Sequence, residues 1–141
     1  MCGIVGYVGQ QDAVPLLTAG LHRLEYRGYD SAGVAVLTRG GLRVHKVAGK
    51  IRALETTVPK RMKGSVGVGH TRWATHGAPT EDNAHPHTDC SGHLALVHNG
   101  IIENAAALRA ALVARGHAFR SETDTEEICA IAPATSEPAW K

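Results

Sequence analysis

Charge of one sign is what this sequence has least of. Fifteen lysines and arginines against thirteen carboxylates leave a formal net charge of +2. So small an excess argues against nucleic acid or an anionic membrane as a partner. The one tight basic run, Lys60, Arg61 and Lys63, is read as a solvated loop. Long apolar runs are also missing, so no segment is expected to span a bilayer. The chain opens on a strand candidate and not on a basic-then-apolar leader. Cys2, Cys90 and Cys129 are odd in number and lack paired spacing. They argue against a disulfide scaffold and fit a reducing, cytoplasmic setting. Repeats, low-complexity tracts and internal boundaries are absent too, and 141 residues suit one domain.

What is present begins at Met1-Cys2-Gly3. A small second residue normally lets the initiator methionine be trimmed, which leaves a thiol and a free α-amine on one residue. Unperturbed, the thiol titrates near ~8.5 and the amine near ~7.7–8.0, so the amine is able to take the thiol's proton. That is the N-terminal form of an activated nucleophile. The plain alternative is a cysteine that merely opens a strand.

Along the chain, Ile4 to Val8 reads as a buried strand. Asp12 then caps a helix carrying Val14, Leu17, Leu21 and Leu24 at helical spacing. Strands at 34–37 and 42–47 flank the turn Thr38-Arg39-Gly40-Gly41 as a hairpin. A short helix is expected at 51–54 and a Gly-rich strand at 66–70. Residues 73–92 form a long irregular stretch of the kind that is usually functional or disordered. A strand at 94–98, a helix from Asn104 stopped by Gly116 and a strand at 117–120 follow. Strands with a few packed helices give an α+β layered architecture.

Several clusters carry chemistry, each beside a plainer reading. His85, His87, Cys90 and His93 are candidate zinc ligands, although the strong zinc spacings are missing. Otherwise they belong to a loop of imidazoles bonded to each other and to backbone. Asn99-Gly100 is either a tight hairpin signal or an oxyanion hole. Arg72 is either a surface cation or a carboxylate clamp. Asp124, with Glu127, is either a helix cap with its capping box or a partner for a substrate ammonium. Arg72 and Asp124 together suit the two charged ends of an α-amino acid.

In sequence, Cys2-Gly3-Ile4-Val5-Gly6 resembles the opening of class II glutamine amidotransferases, which are N-terminal-nucleophile hydrolases. Leu24-Glu25-Tyr26-Arg27-Gly28-Tyr29-Asp30-Ser31-Ala32-Gly33 resembles their glucosamine-6-phosphate synthase branch. So do residues 69–77, 83–87, 98–104 and 121–126, and the likeness covers about nine-tenths of the chain, in order. The resemblance implies a four-layer αββα sandwich, incomplete on its C-terminal side. Residues 1–128 would be the first part of that domain, and 129–141 a divergent, disordered tail. It implies that Cys2 attacks the glutamine amide with its own amine as base, while Asn99 and Gly100 hold the oxyanion. Arg72 would take the α-carboxylate and Asp124 the α-ammonium, with Trp73, Thr75 and His76 lining the pocket. Arg27, Gly28 and Asp30 would support the site. No cofactor or metal is implied. The ammonia would pass to a sugar-isomerising domain that turns fructose 6-phosphate into glucosamine 6-phosphate. Because strands of the domain are missing, the chain is expected to be at best a weak glutaminase, or an inactive remnant that binds amino acids or a partner chain.

Overall fold

The structure, a computed structural model, describes residues 2–74 and 77–132. Strands β1 (Gly3–Val8), β2 (Ser31–Thr38), β3 (Gly41–Ala48) and β4 (Val66–Arg72) form one antiparallel sheet in the order β1-β4-β2-β3. Gly3 pairs with Thr71 and Ser31 with Arg72, so the start of β1 and the end of β4 share one end of the sheet.

Alternation along the strands assigns its two faces. Val34 and Val36, with Val5 and Tyr7 beside them, face helices α1 (Ala13–His22) and α2 (Ile51–Thr57) in the main core. The glycines of β4 let α1 approach: a Cβ on Gly67 would lie 3.0 Å from Leu17 Cδ1, and one on Gly69 3.1 Å from Leu21 Cδ1. Asp12 holds the cap position of α1, but its Oδ1 accepts from the Gly64 N–H at 3.3 Å and makes no cap bond. Tyr29 ties α2 down by accepting the Ile51 N–H on its hydroxyl at 2.8 Å.

The opposite face is covered at one end only. Residues 83–87 lie on it so closely that a Cβ on Gly33 would sit 2.2 Å from the His85 carbonyl oxygen. Beyond them come a two-residue pair, β5 (His87–Thr88) with β6 (Ala95–Leu96), and helices α3 (Ala105–Ala114) and α4 (Thr125–Ile131). At the other end Val8, Leu37 and Val66 are exposed, Val8 at 80%, and Ile4 is exposed on the same face nearer the start of β1. The architecture is α+β with antiparallel sheets.

Four expectations need correction. The first strand is not buried but alternates, because among the described residues nothing covers its outer face near Val8. The strand expected at 94–98 shrinks to Ala95–Leu96. Residues 117–120 form no strand: the Glu126 carboxylate takes the N–H groups of Arg120 and Ser121, and His117 N–H bonds Leu112 O. The capping box at Asp124 is not made either, since Asp124 makes no cap bond and Glu127 pairs with Arg109 at 2.6 Å. Of the expected tail, the first residues form the last turn of α4, with Cys129 buried, and 133–141 lie outside the described residues.

Candidate active site

Cys2 precedes β1, and Trp73 follows β4 on the neighbouring strand. The pairing therefore brings the Trp73 backbone N–H to 3.3 Å from Cys2 Sγ. Asn99 arrives from 97 residues away: its Nδ2 donates to the Cys2 carbonyl at 3.3 Å. Its Oδ1 lies 2.8 Å from His70 Nε2, which must be the donor because an amide oxygen only accepts.

These groups border a cavity of about 50 Å³ that Arg72, Gly100, Asp124 and the two threonines flanking Asp124 also line. It has room for one or two waters, each filling roughly 30 Å³. A larger cavity of about 860 Å³ opens at the other end of the sheet, near Gln10, Arg39 and Lys63, and holds none of the candidate residues.

Arg72 is 5% exposed, which excludes the surface-cation reading, and its Nη1 reaches the Ala78 carbonyl at 3.5 Å. Asp124 Oδ2 accepts the Ile102 N–H at 2.7 Å, tying the segment after Gly100 to the start of α4. Trp73 is half exposed, and its ring lies over Gly28, where a Cβ would meet Cζ3 at 3.0 Å. Gly28 takes φ +70°, a conformation that side chains disfavour. Asp30 Oδ2 accepts the Ala74 N–H at 2.7 Å and so fixes the chain just past Trp73. Arg27 is exposed and bonds the Tyr26 hydroxyl at 3.0 Å. Thr75 and His76 lie outside the described residues.

Three histidines reach the site from beneath. The rings of His70 and His85 stack at 4.3 Å, and those of His85 and His87 meet edge-on at 4.5 Å. They bond Asn99, Thr125 and Thr123 instead of one another, at 2.8–2.9 Å. Burial lowers all three from the usual 6.5, His70 to about 4 and His87 to about 3. Among the described residues no group of three or more His, Cys, Asp or Glu is placed to hold a metal ion.

Residues 59–137 match the family described as glutamine amidotransferase domain. This chain is a member of that family. It is 64% identical over 127 residues to the glutamine–fructose-6-phosphate aminotransferase (isomerizing) of Thermus thermophilus, covering 89% of this chain and 21% of that protein. The protein of the same name from Pyrococcus horikoshii is 55% identical over 129 residues, covering 91% of this chain and 22% of that one. The chain thus spans about a fifth of the length of the curated relatives it matches. Among solved structures, a glutamine phosphoribosylpyrophosphate amidotransferase from B. subtilis, complexed with ADP and GMP, superposes with a TM-score of 0.75 at 31% identity. That match covers 91% of this chain and 28% of the other.

Within this amidotransferase domain the structure brings together Cys2, Arg72, Trp73, Asn99, Gly100 and Asp124 around one cavity. Gly28 lies under the Trp73 ring and Asp30 holds the Ala74 N–H, whereas Arg27 is exposed beside Tyr26. Sequence reasoning missed His85, His98, Thr123 and Thr125 in the lining and the bond from His70 to Asn99. One signal was available for His70: it stands two residues before Arg72 on β4 and therefore shares its face.

Proposed function

We propose that this domain hydrolyses the side-chain amide of glutamine to glutamate and ammonia, with Cys2 as nucleophile. The observation that carries the reading is the convergence of Cys2 and Asn99, 97 residues apart, beside Arg72 and Asp124 at one cavity. Trimming of Met1 frees the Cys2 amine, which takes the thiol proton. The thiolate attacks the amide carbon, and the resulting oxyanion is held by the Gly100 N–H and the second Nδ2–H of Asn99. One donor of this kind is worth roughly 3–4 kcal/mol of barrier. The Cys2 ammonium returns the proton to the departing nitrogen, which leaves as ammonia. Water, deprotonated by the same amine, then cleaves the thioester, releasing glutamate and restoring the thiol.

Arg72 takes the substrate α-carboxylate as a guanidinium fork, and Asp124 the α-ammonium through the oxygen not bonded to Ile102. Trp73, Thr75 and His76 complete the pocket, while Arg27, Gly28 and Asp30 hold the turn behind it. The chemistry calls on no cofactor or metal. The cavity is smaller than glutamine, so its walls part on binding. The layers of helix, sheet, short sheet and helix support the reading of a four-layer αββα sandwich. Residues 1–128 are the first part of that domain, and 129–141 a divergent tail. In a cytoplasmic setting the ammonia serves a sugar-isomerising domain that makes glucosamine 6-phosphate from fructose 6-phosphate.

A second reading, an inactive chain that at most binds amino acids or a partner chain, is favoured by the uncovered apolar face at Ile4, Val8, Leu37 and Val66. Glutamate release by the full chain, set against Cys2→Ala, separates the two. A glutamine-like electrophile is expected to label Cys2 and spare Cys90 and Cys129.

A further inference from the structure

Three buried imidazoles connect the two halves of the site, and each one ends on a different part of it. His70 comes from β4, and His85 and His87 from the segment laid across Gly33. Exposures of 0%, 5% and 3% place all three away from solvent, so each hydrogen bond is made within the protein.

The chemistry of the partners fixes the direction of these bonds. Glu126 Oε2 only accepts, so Ser121 Oγ donates to it at 2.7 Å. Ser121 Oγ then accepts from Thr123 Oγ1 at 3.0 Å, and Thr123 Oγ1 accepts from His87 Nε2 at 2.8 Å. The ordered chain runs from imidazole through two hydroxyls to a carboxylate. His85 Nδ1 is buried without a partner, so its proton belongs on Nε2, which donates to Thr125 Oγ1 at 2.9 Å. Thr125 in turn donates to His98 Nδ1 at 3.4 Å, and the His98 ring packs against Gly100, where a Cβ would meet Nε2 at 2.6 Å. His70 Nε2–H holds Asn99 Oδ1 and so turns both Nδ2 protons toward Cys2.

We propose that the His70–His85–His87 column is a positioning spine, in which His70 orients the oxyanion donor Asn99 while His87, through Thr123, fixes the Asp124 segment that grips the substrate ammonium. The proposal rests on the glutaminase reading. Only His85 borders the cavity; His70 and His87 stand outside its lining and act through Asn99 and Thr123. Their work divides: loss of His70 affects the step in which charge develops, and loss of His87 affects binding before that step.

The test is steady-state glutamine hydrolysis by the full chain carrying His70→Ala, His87→Ala, His70→Gln or His87→Gln. A glutamine side chain places an N–H near the Nε2 position. His70→Ala is expected to lower kcat by about 100-fold with KM within about threefold. His87→Ala is expected to raise KM by about tenfold, the equivalent of one hydrogen bond, with kcat within about threefold. Each Gln variant is expected to recover most of the loss. Equal changes in kcat and KM for both Ala variants, or Gln variants no better than Ala, would overturn the spine. If the unaltered chain releases no glutamate, the glutaminase reading fails, and amide NMR then decides the spine. Asn99 side-chain protons that exchange as fast in the parent as in His70→Ala would overturn it; protection lost only in the variant would support it.

Discussion

Acid is the perturbation to which this fold is most exposed. In the unfolded chain His70, His85 and His87 titrate near 6.5, whereas in the folded chain burial holds His70 to about 4, His87 to about 3 and His85 well below its ordinary value. Arg72 adds repulsion to all three, Lys46 adds it to His85 and His87, Arg109 adds it to His87, and only the bonds of His70 to Asn99 and the His98 backbone pull the other way. A depressed folded value means that the stability is present above pH 6.5 and is lost as pH falls toward the folded values. Between pH 6.5 and 5 the unfolded chain gains a proton at each ring and the folded chain gains none. At about 1.36 kcal/mol per pH unit, each ring costs about 2 kcal/mol by pH 5. Three cost about 6 kcal/mol, comparable to the ~5–15 kcal/mol net stability of a domain. His22 acts in the opposite sense. Glu55 and Glu25 raise it, so its contribution is present below pH 6.5 and is lost as pH rises through its folded value. Its side chain is 38% exposed, and solvent screens most of that effect. Urea unfolding followed by circular dichroism at pH 8, 7, 6 and 5 measures the balance. The expected result is a plateau above pH 7 and then a slope approaching three protons. A slope below one proton would refute the reasoning, and His87→Gln should remove about a third of it.

Further outcomes follow from the site and its frame. Cys2→Ser, or a tag fused to block the Cys2 amine, should reduce glutamate release at least 100-fold without moving the thermal midpoint, as read by a coupled glutamate assay. Arg72→Lys keeps the charge but loses the fork, so KM for glutamine should rise about tenfold or more in the same assay. Gly33→Ala forces a Cβ against the His85 carbonyl and should cost about 1–3 kcal/mol in urea unfolding; no loss would mean that residues 83–87 do not lie on the sheet. Leu17→Ala, at the centre of the main core, should cost about 2–5 kcal/mol by the same measurement.

Local signals placed most of the elements. The hairpin around Thr38–Gly41 and the helices from Ala13 and Ala105 follow from turn residues and apolar spacing that survive in any context. Where the sequence misled around α4, a side chain had taken up backbone groups outside its own helix. Glu126 claims the N–H groups that a strand at 117–120 would have used, and Asp124 turns from its own helix to Ile102. At the candidate site, residue types offered Cys2, Arg72 and Asn99 as candidates beside plainer readings, and the family resemblance chose among them. The histidine column was not legible, because nothing in the spacing of His70, His85 and His87 distinguishes rings stacked in a core from rings in a solvated loop. Only Gly33, bare beneath the His85 backbone, allows that stack to form.

Among the described residues strand β1 is outermost in its sheet and pairs with β4 alone. The residue proposed to attack substrate thus hangs at the tip of a border strand, tethered on one flank. Peeling of that border by a few residues would part Cys2 from Asn99 and from the Trp73 N–H while the central β4–β2–β3 pairing stayed intact. On gentle warming, turnover should therefore vanish several degrees before the circular dichroism of the sheet does.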